Sequence, residues 1–517
     1  MDFSKVEPFE FKAPSGLLQK IKIELSKEKL TAAAGLGTII EIFDQSGFAK
    51  AFTECLPQRV SHRSQGSYKL ALNMVCGFIH GFDCLDDYDD FKGDEAIKAL
   101  FGEGTPQSRT LGDFLRDFED EHIEKLNSFL PSMSWSMMAS LNKNQPEEHK
   151  PKEVCLDIDS TEHLQSGNEM EGLAWNYKNN WCLDSQVVFN QKGFCHGFDL
   201  REGNVKSGVG AEWLMAGALK DGKQQRERKF EGRTFARADS AYCKKDMIKE
   251  FLSKGVLFAM AAHDGTTGWK KQVDKEGLVW TPWEYSEEEK LKATKREREL
   301  PRVDLARFYW TPKWSLTEGS KLMLPIIVKR TFNKERYEEL RRKGKQLGLG
   351  LADDASLKED PYDYYAIVSN FPLDLATERS AVDKDTREKQ SIRRYSLQEV
   401  MSFYQKRGNA ENFIREEKYG YDLKHFPCLR LNSNRAYGLL AMVAHNLLRY
   451  VALMMKPDKP HYSKKLRKRF VFHAGKVVRH ARQIILRISE HGYEEVKNLR
   501  AAWGSQPKPV PLHFSSA

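Results

Sequence analysis

Tyr404, Arg407, Glu411 and Lys418 fall within fifteen residues in the C-terminal part of the chain. Run as one α-helix at about 100° per residue, this stretch turns all four side chains into a stripe ~60° wide. Phe403, Ala410, Ile414 and Tyr421 make an adjoining apolar stripe able to seat such a helix on a core. One carboxylate flanked by two cations and a phenol, all facing one way, suits a polyanion held beside a bound metal ion. A solvated helix face with ordinary charge pairs accounts for the stretch as well when it is taken alone.

Two carboxylates upstream bear on that choice. In Val154-Cys-Leu-Asp157-Ile-Asp159-Ser-Thr161 the alternation puts Val154, Leu156 and Ile158 on one face of a strand. Cys155, Asp157 and Asp159 go on the other. A carboxylate at the polar end of a strand is a hard-oxygen ligand for Mg²⁺, which takes one or two protein carboxylates with waters and substrate phosphates. Asp239 repeats the arrangement in Phe235-Ala-Arg-Ala-Asp239. Each also has a plain structural reading: Asp159 can cap a turn before Ser160 and Thr161, and Asp239 can be a helix N-cap.

The elements that must position these groups are legible in outline. Residues 30 to about 145 carry helix-period apolar faces, and a new helix begins after Thr105-Pro106. A helix-turn-helix could hide there, but core-forming helices explain the pattern as well. From 153 strand candidates take over, with a helix near 211–221, a strand into Asp239, a helix near 244–253 and a strand at Val256–Ala262. That order is the order of a mixed α/β sheet. Residues 264 to about 390 interrupt it with five tryptophans (269, 280, 283, 310 and 314), a charge run and two strand candidates, and are expected to be a largely β insertion. Helical pattern resumes near 396, continues through an apolar helix at 436–450, and ends in a basic tail. That tail carries Lys464, Lys465, Arg467, Lys468, Arg469, Lys476, Arg479, Arg482 and Arg487. It reads as a DNA-tracking or subunit-contacting segment. It reads equally as a solvated amphipathic helix with Val471, Val477, Val478, Ile484 and Ile485 inward.

Composition bounds the function classes. The 517-residue chain is long enough for several domains and a large core. Its 82 Lys and Arg against 73 Asp and Glu give a net charge of +9, which suits a nucleic-acid partner without requiring one. Eight scattered cysteines with no Cys-x-x-Cys pair argue against a zinc knuckle or a disulfide framework, and Cys55, Cys76 and Cys155 are expected to be small core residues. The N-terminus lacks a signal-peptide pattern, and no run of about 18 apolar residues is apparent, so no membrane span is expected. The chain reads as soluble and cytoplasmic.

Taken together, these motifs resemble the DDE transposases of bacterial insertion sequences. The likeness is to the subset with a Tyr-x2-Arg-x3-Glu-x6-Lys signature, which Tyr404, Arg407, Glu411 and Lys418 match at every position. Asp159-Ser160-Thr161 resembles the Asp-x-Thr around the family's first acid, and Asp239 within Arg237-Ala-Asp-Ser-Ala-Tyr242 resembles the second. The likeness spans about 150–450 and is weaker in the N-terminal part. Asp157, two residues from Asp159 on the same strand face, leaves open which of the two is the first ligand.

The resemblance implies a ribonuclease-H-like mixed-sheet α/β core with a β-rich insertion, an N-terminal helical domain and a basic C-terminal helical tail. The implied divisions are 1–145 (helical, DNA-binding), 146–263 (core, first part), 264–390 (insertion), 391–455 (core, second part) and 456–517 (basic C-terminal region). Asp159, Asp239 and Glu411 would hold two Mg²⁺ ions, with Mn²⁺ able to substitute, for in-line displacement at phosphorus. Tyr404, Arg407 and Lys418 would grip phosphates near a transposon end. The implied activity is cleavage at terminal inverted repeats and joining to target DNA, by a cut-and-paste route, by a homodimer on double-stranded DNA near the bacterial nucleoid. Two other readings stand beside it: a catalytically inactive transposase-derived DNA-binding protein, and a ribonuclease-H-like nuclease that only hydrolyses DNA.

Overall fold

The computed structural model describes residues 26–512 except 60–64, 103, 144–152, 229–232, 274–276, 317–320, 347–359, 375–392 and 482, together with the short strand pair Phe9–Phe11 and Ile21–Ile23. The N-terminal part is helical, with α1 (Leu36–Gln45), α2 (Ser67–His80), α3 (Ser108–Arg116) and α4 (Asp120–Lys143) as its main elements. The expected helix after Thr105-Pro106 is α3. Gly81 closes α2 at φ 107°, a left-handed backbone suited to glycine at a helix end.

The α/β part runs β1 (Glu153–Leu164), β2 (Trp181–Asn190), β3 (Cys195–Glu202), α5 (Ala211–Arg228), β4 (Arg233–Ala238), α6 (Lys245–Ser253) and β5 (Leu257–Ala261). β6 (Val303–Trp310), β7 (Leu324–Phe332) and β8 (Tyr362–Ser369) follow. All eight join one mixed sheet in the order β6-β7-β8-β5-β4-β1-β2-β3. β1, β4 and β5 are parallel neighbours, and the other pairings are antiparallel. Parallel neighbours need crossovers, and α5 and α6 supply helices in the two connections. The strands between 264 and 390 therefore continue the central sheet through the β5–β8 pairing.

Both faces of the sheet are covered. Val154, Leu156 and Ile158 of β1 point into the main core with Ala236, Phe258 and Val368. Cys155, Phe235, Ala259, Ile327 and Ile367 lie on the other face, under Val400, Met401 and Tyr404 of α7 (Leu397–Gln405). The period-2 reading of β1 agrees with this division. Ser396 starts α7 with a capping box to Glu399.

α7 does not run on through the signature. A 3₁₀ turn at Lys406–Asn409 separates it from α8 (Ala410–Gly420), so the expectation of one continuous helix is corrected. Gly408 and Asn409 are poor helix formers and sit where the axis breaks.

α9 (Leu431–Met455) is buried along most of its length and packs on α4, α2 and β3. By length and a mean hydropathy of 1.4 it meets the composition of a membrane-crossing helix, although Arg435, His445, Asn446 and Arg449 break its apolar run. Its apolar window is 83% buried inside the fold, as a core helix is. Asn446 on α9 holds β3 by donating to the Cys195 carbonyl at 2.9 Å and accepting from the Cys195 amide at 2.8 Å. Asn434 spans the Cys428 amide and carbonyl in the same manner. All eight cysteines are free, and Cys55, Cys76 and Cys155 are buried, as expected.

The C-terminal region departs from the helical tail expected. β9 (Gly475–His480) and β10 (Gln483–Ile488) form an antiparallel hairpin that pairs with Leu30–Thr31, and α10 (Glu490–Ser505) follows. Val477 is buried, whereas Ile484 and Ile485 are exposed, so the inward helical face does not form. The β-branched pairs Val477-Val478 and Ile484-Ile485 favour the pleated ribbon here. Arg482 lies outside the described residues.

Candidate active site

β1 and β4 lie side by side, in a register that pairs Asp157 with Arg237. Two residues further along each strand, Asp159 and Asp239 arrive at neighbouring positions where β4 ends. Asp239 caps the short turn Ser240–Tyr242, accepting from the Ala241 amide at 2.8 Å. Asp159 accepts from its neighbour's amide, Ser160, at 3.0 Å. The capping reading of Asp239 is thus realised on a 3₁₀ turn, whereas Asp159 lies inside β1 with no turn after it; neither contact uses all of a carboxylate's lone pairs.

Burial raises the Asp159 carboxyl above the ordinary range; the Arg407 guanidinium opposes that shift and the nearby Asp239 charge adds to it. Arg407 donates to Asp159 at 2.7 Å. Burial works against the Arg407 charge, but Asp159 and Tyr404 more than offset it and hold its proton more tightly than usual. Tyr404, buried under β8, accepts a hydrogen bond from the Tyr365 hydroxyl at 2.5 Å. The 3₁₀ turn is what lets Arg407 leave the α7 axis and meet β1.

Asp157 has a different task. Its two oxygens take both arms of Arg237, at 2.6 and 2.7 Å, and it is only 3% exposed. Burial pushes its carboxyl up to about 6, against the pull of Arg237. The third nitrogen of Arg237 donates to the Phe403 carbonyl at 2.9 Å, tying this buried pair to the C-terminal turn of α7. Asp157 is committed to that pair, while Asp159 faces Asp239.

Asp159, Asp239, Tyr404 and Arg407 therefore gather in one place. Glu411 and Lys418 are placed otherwise. Glu411 is exposed in the first turn of α8 and makes no hydrogen bond or ion pair among the described residues. Lys418 is half-buried and donates to the Glu162 carbonyl at 2.6 Å, pinning α8 to the end of β1. Among the described residues no three His, Cys, Asp or Glu side chains lie close enough to share one ion. The Asp159–Asp239 pair fits a hard divalent cation: two neighbouring carboxylates with lone pairs to spare, and one already drawing a cation to itself.

Sequence reading missed Arg237 and Tyr365. Arg237 had a usable signal, an arginine two residues before Asp239 on the same strand face. Tyr365 had none, because its partner lies 39 residues away in sequence.

A family comparison bears on this arrangement. The sequence model of the family described as Transposase DDE domain group 1 matches residues 14–298 and 390–501. That is well over half of the chain. The chain belongs to this family. Membership makes it an enzyme of transposition acting on DNA, in a family that generally uses divalent metals. The unmatched stretch, 299–389, contains β6, β7 and β8, the strands added beyond β5. A search of curated proteins finds no match.

One further group of this transposase lies behind α8. Glu417 is fully buried with both oxygens lacking partners, and His163, also fully buried, is 3.9 Å away. Burial raises the Glu417 carboxyl to about 8, and the same burial lowers His163 to about 3, so both are neutral near pH 7. The folded chain then holds a proton that the unfolded chain has released between about pH 4.5 and pH 8. Below about pH 6.5 the proton that His163 gains on unfolding offsets this, so stability should fall as pH rises from about 6.5 to 8. Glu417→Gln is expected to flatten the slope and to stabilise the protein by about 2–4 kcal/mol at pH 8.5. Denaturant melts at pH 6 and 8.5 check this, and parallel wild-type and variant curves would reject it.

Proposed function

We propose that this protein is the transposase of a bacterial insertion sequence of the Tyr-x2-Arg-x3-Glu-x6-Lys type. It cleaves at the terminal inverted repeats of its element and joins the freed ends to target DNA by a cut-and-paste route, as a homodimer on double-stranded DNA. The observation that carries this reading is the strand-end pair Asp159 and Asp239, with Arg407 of the signature held on Asp159 at 2.7 Å.

In this reading Asp159, Asp239 and Glu411 hold two Mg²⁺ ions, for which Mn²⁺ substitutes. When bound, such a pair supplies charge stabilisation on both the attacking and the leaving oxygen of a displacement at phosphorus. The chain's own groups do the rest. Arg407, half-buried and always protonated, sets a fixed positive charge beside the carboxylates and limits their repulsion. The hydroxyl of Tyr365 holds Tyr404 in place next to it. Glu411, exposed and unpaired among the described residues, keeps its carboxylate free for a metal ion shared with Asp159 and Asp239. Lys418 fixes the slope of α8 and retains two N–H donors for phosphate.

Incubating the purified protein with Mg²⁺ or Mn²⁺ and linear DNA bearing its element's ends tests this. Cleavage at the repeats followed by joining of a precut end to a second duplex is expected. Hydrolysis without joining would make the protein a nuclease, and binding without cleavage would make it an inactive DNA-binding derivative.

A further inference from the structure

On the far side of α8 from the β-sheet extension lies an open groove of about 1050 Å³. One wall is the start of the signature helix, with Asn409, Asn412 and Phe413, so the groove borders the turn that carries Glu411. The other wall is the segment 458–469, where Lys459, Lys464, Lys465 and Lys468 project. These four lysines are exposed, and none forms an ion pair among the described residues. Among the described residues Asp458 is the only acid lining the groove, and Arg469 is taken by Glu495 at 2.7 Å. His461, also on the lining, is pushed below its ordinary range by burial and, to a smaller extent, by Lys465, Lys456, Arg469 and Lys459.

Clustered like charges outnumbering their counter-charges repel one another in the free protein and favour a polyanion that releases them from that repulsion. The groove is too large and too open for one phosphate, and it adds the neutral amides of Asn409 and Asn412, donors that suit phosphate oxygens without reading bases. An acidic protein segment would satisfy the lysines but gives no reason for the groove to open onto the turn bearing Glu411.

We infer that this groove is a second nucleic-acid track, holding the sugar-phosphate backbone of duplex DNA that continues past the cleavage site. The inference rests on the transposase reading and names where its substrate runs. The four lysines act on phosphates alone, so they contribute affinity and salt dependence and no sequence preference.

The test is fluorescence anisotropy of the full chain with two 30-bp duplexes, one bearing the element's end and one unrelated, from 50 to 300 mM KCl. The variant Lys464→Gln/Lys465→Gln/Lys468→Gln should keep its thermal melt. It should bind at least about tenfold more weakly at low salt, with a log–log salt slope shallower by about 2 to 3, at ~0.9 for each lost phosphate contact. Weakening on both duplexes means a shared track; weakening on the end duplex alone assigns the groove to the transposon end, and on the unrelated duplex alone to the target. Unchanged affinity and slope on both would overturn the inference. So would intact DNA binding with lost binding to poly-glutamate, which would assign the groove to an acidic protein. Failure of the wild-type chain to bind any duplex would instead remove the transposase reading beneath it.

Discussion

Glu411→Gln is expected to reduce strand cleavage at the element's ends by about 10³-fold or more while leaving the folded protein intact. The two halves of that expectation have separate causes. A carboxylate that helps hold a catalytic ion is worth several kcal/mol in the transition state, and each ~1.4 kcal/mol is a factor of ten in rate. The isosteric amide keeps the shape and removes the charge. Stability should be unaffected, because Glu411 is exposed and makes no hydrogen bond or ion pair among the described residues. A surface change of this kind stays within about 0.5 kcal/mol. End binding, set by lysines, arginines and the repeats themselves, should survive. Cleavage assays with Mn²⁺, denaturant melts and a mobility-shift titration on one preparation check all three. Cleavage at near wild-type rate would remove Glu411 from the active site.

The opposite pattern is expected for Arg237→Met. Asp157 and Arg237 are both about 3% exposed and exchange two short hydrogen bonds. Removing the arginine strands a carboxyl among apolar neighbours, which costs about 3–5 kcal/mol. It also releases the Phe403 carbonyl at the end of α7, loosening the element that leads to Arg407. Asp157→Leu in the same chain should recover most of the loss, since an apolar pair of similar volume pays no desolvation. Urea melts of the two singles and the double give the coupling energy directly. A single-mutant cost below about 1 kcal/mol, or no recovery in the double, would show that the pair does not hold this seam. Activity should track stability here, in contrast to Glu411→Gln.

Much of the α/β part was legible because its signals are local. Alternation in 153–159 sorted Asp157 and Asp159 from Val154, Leu156 and Ile158 before any strand pairing was known, and the apolar runs into Asp239 and at 256–262 became β4 and β5. The errors fell where a local pattern was ambiguous. Residues 404–418 have a helical period, but Gly408 and Asn409 break the helix. The basic tail has apolar residues at spacings that fit a helix, yet its β-branched pairs and the pairing with Leu30–Thr31 make it a hairpin.

By itself the sequence determined the chemistry on offer: three acids, their spacing to Tyr404, Arg407 and Lys418, and a mixed α/β frame to carry them. Only the tertiary structure decided how those groups divide their work. Asp157 and Asp159 are indistinguishable by strand parity; what separates them is the neighbour across the sheet, Arg237 for one and the strand-end Asp239 for the other. Arg407 and Lys418 share a stripe on paper, but a 3₁₀ turn sends the first to Asp159 and burial ties the second to Glu162. Parity and period are set within a segment, whereas the partner of a charge is set by register and packing between segments far apart in the chain.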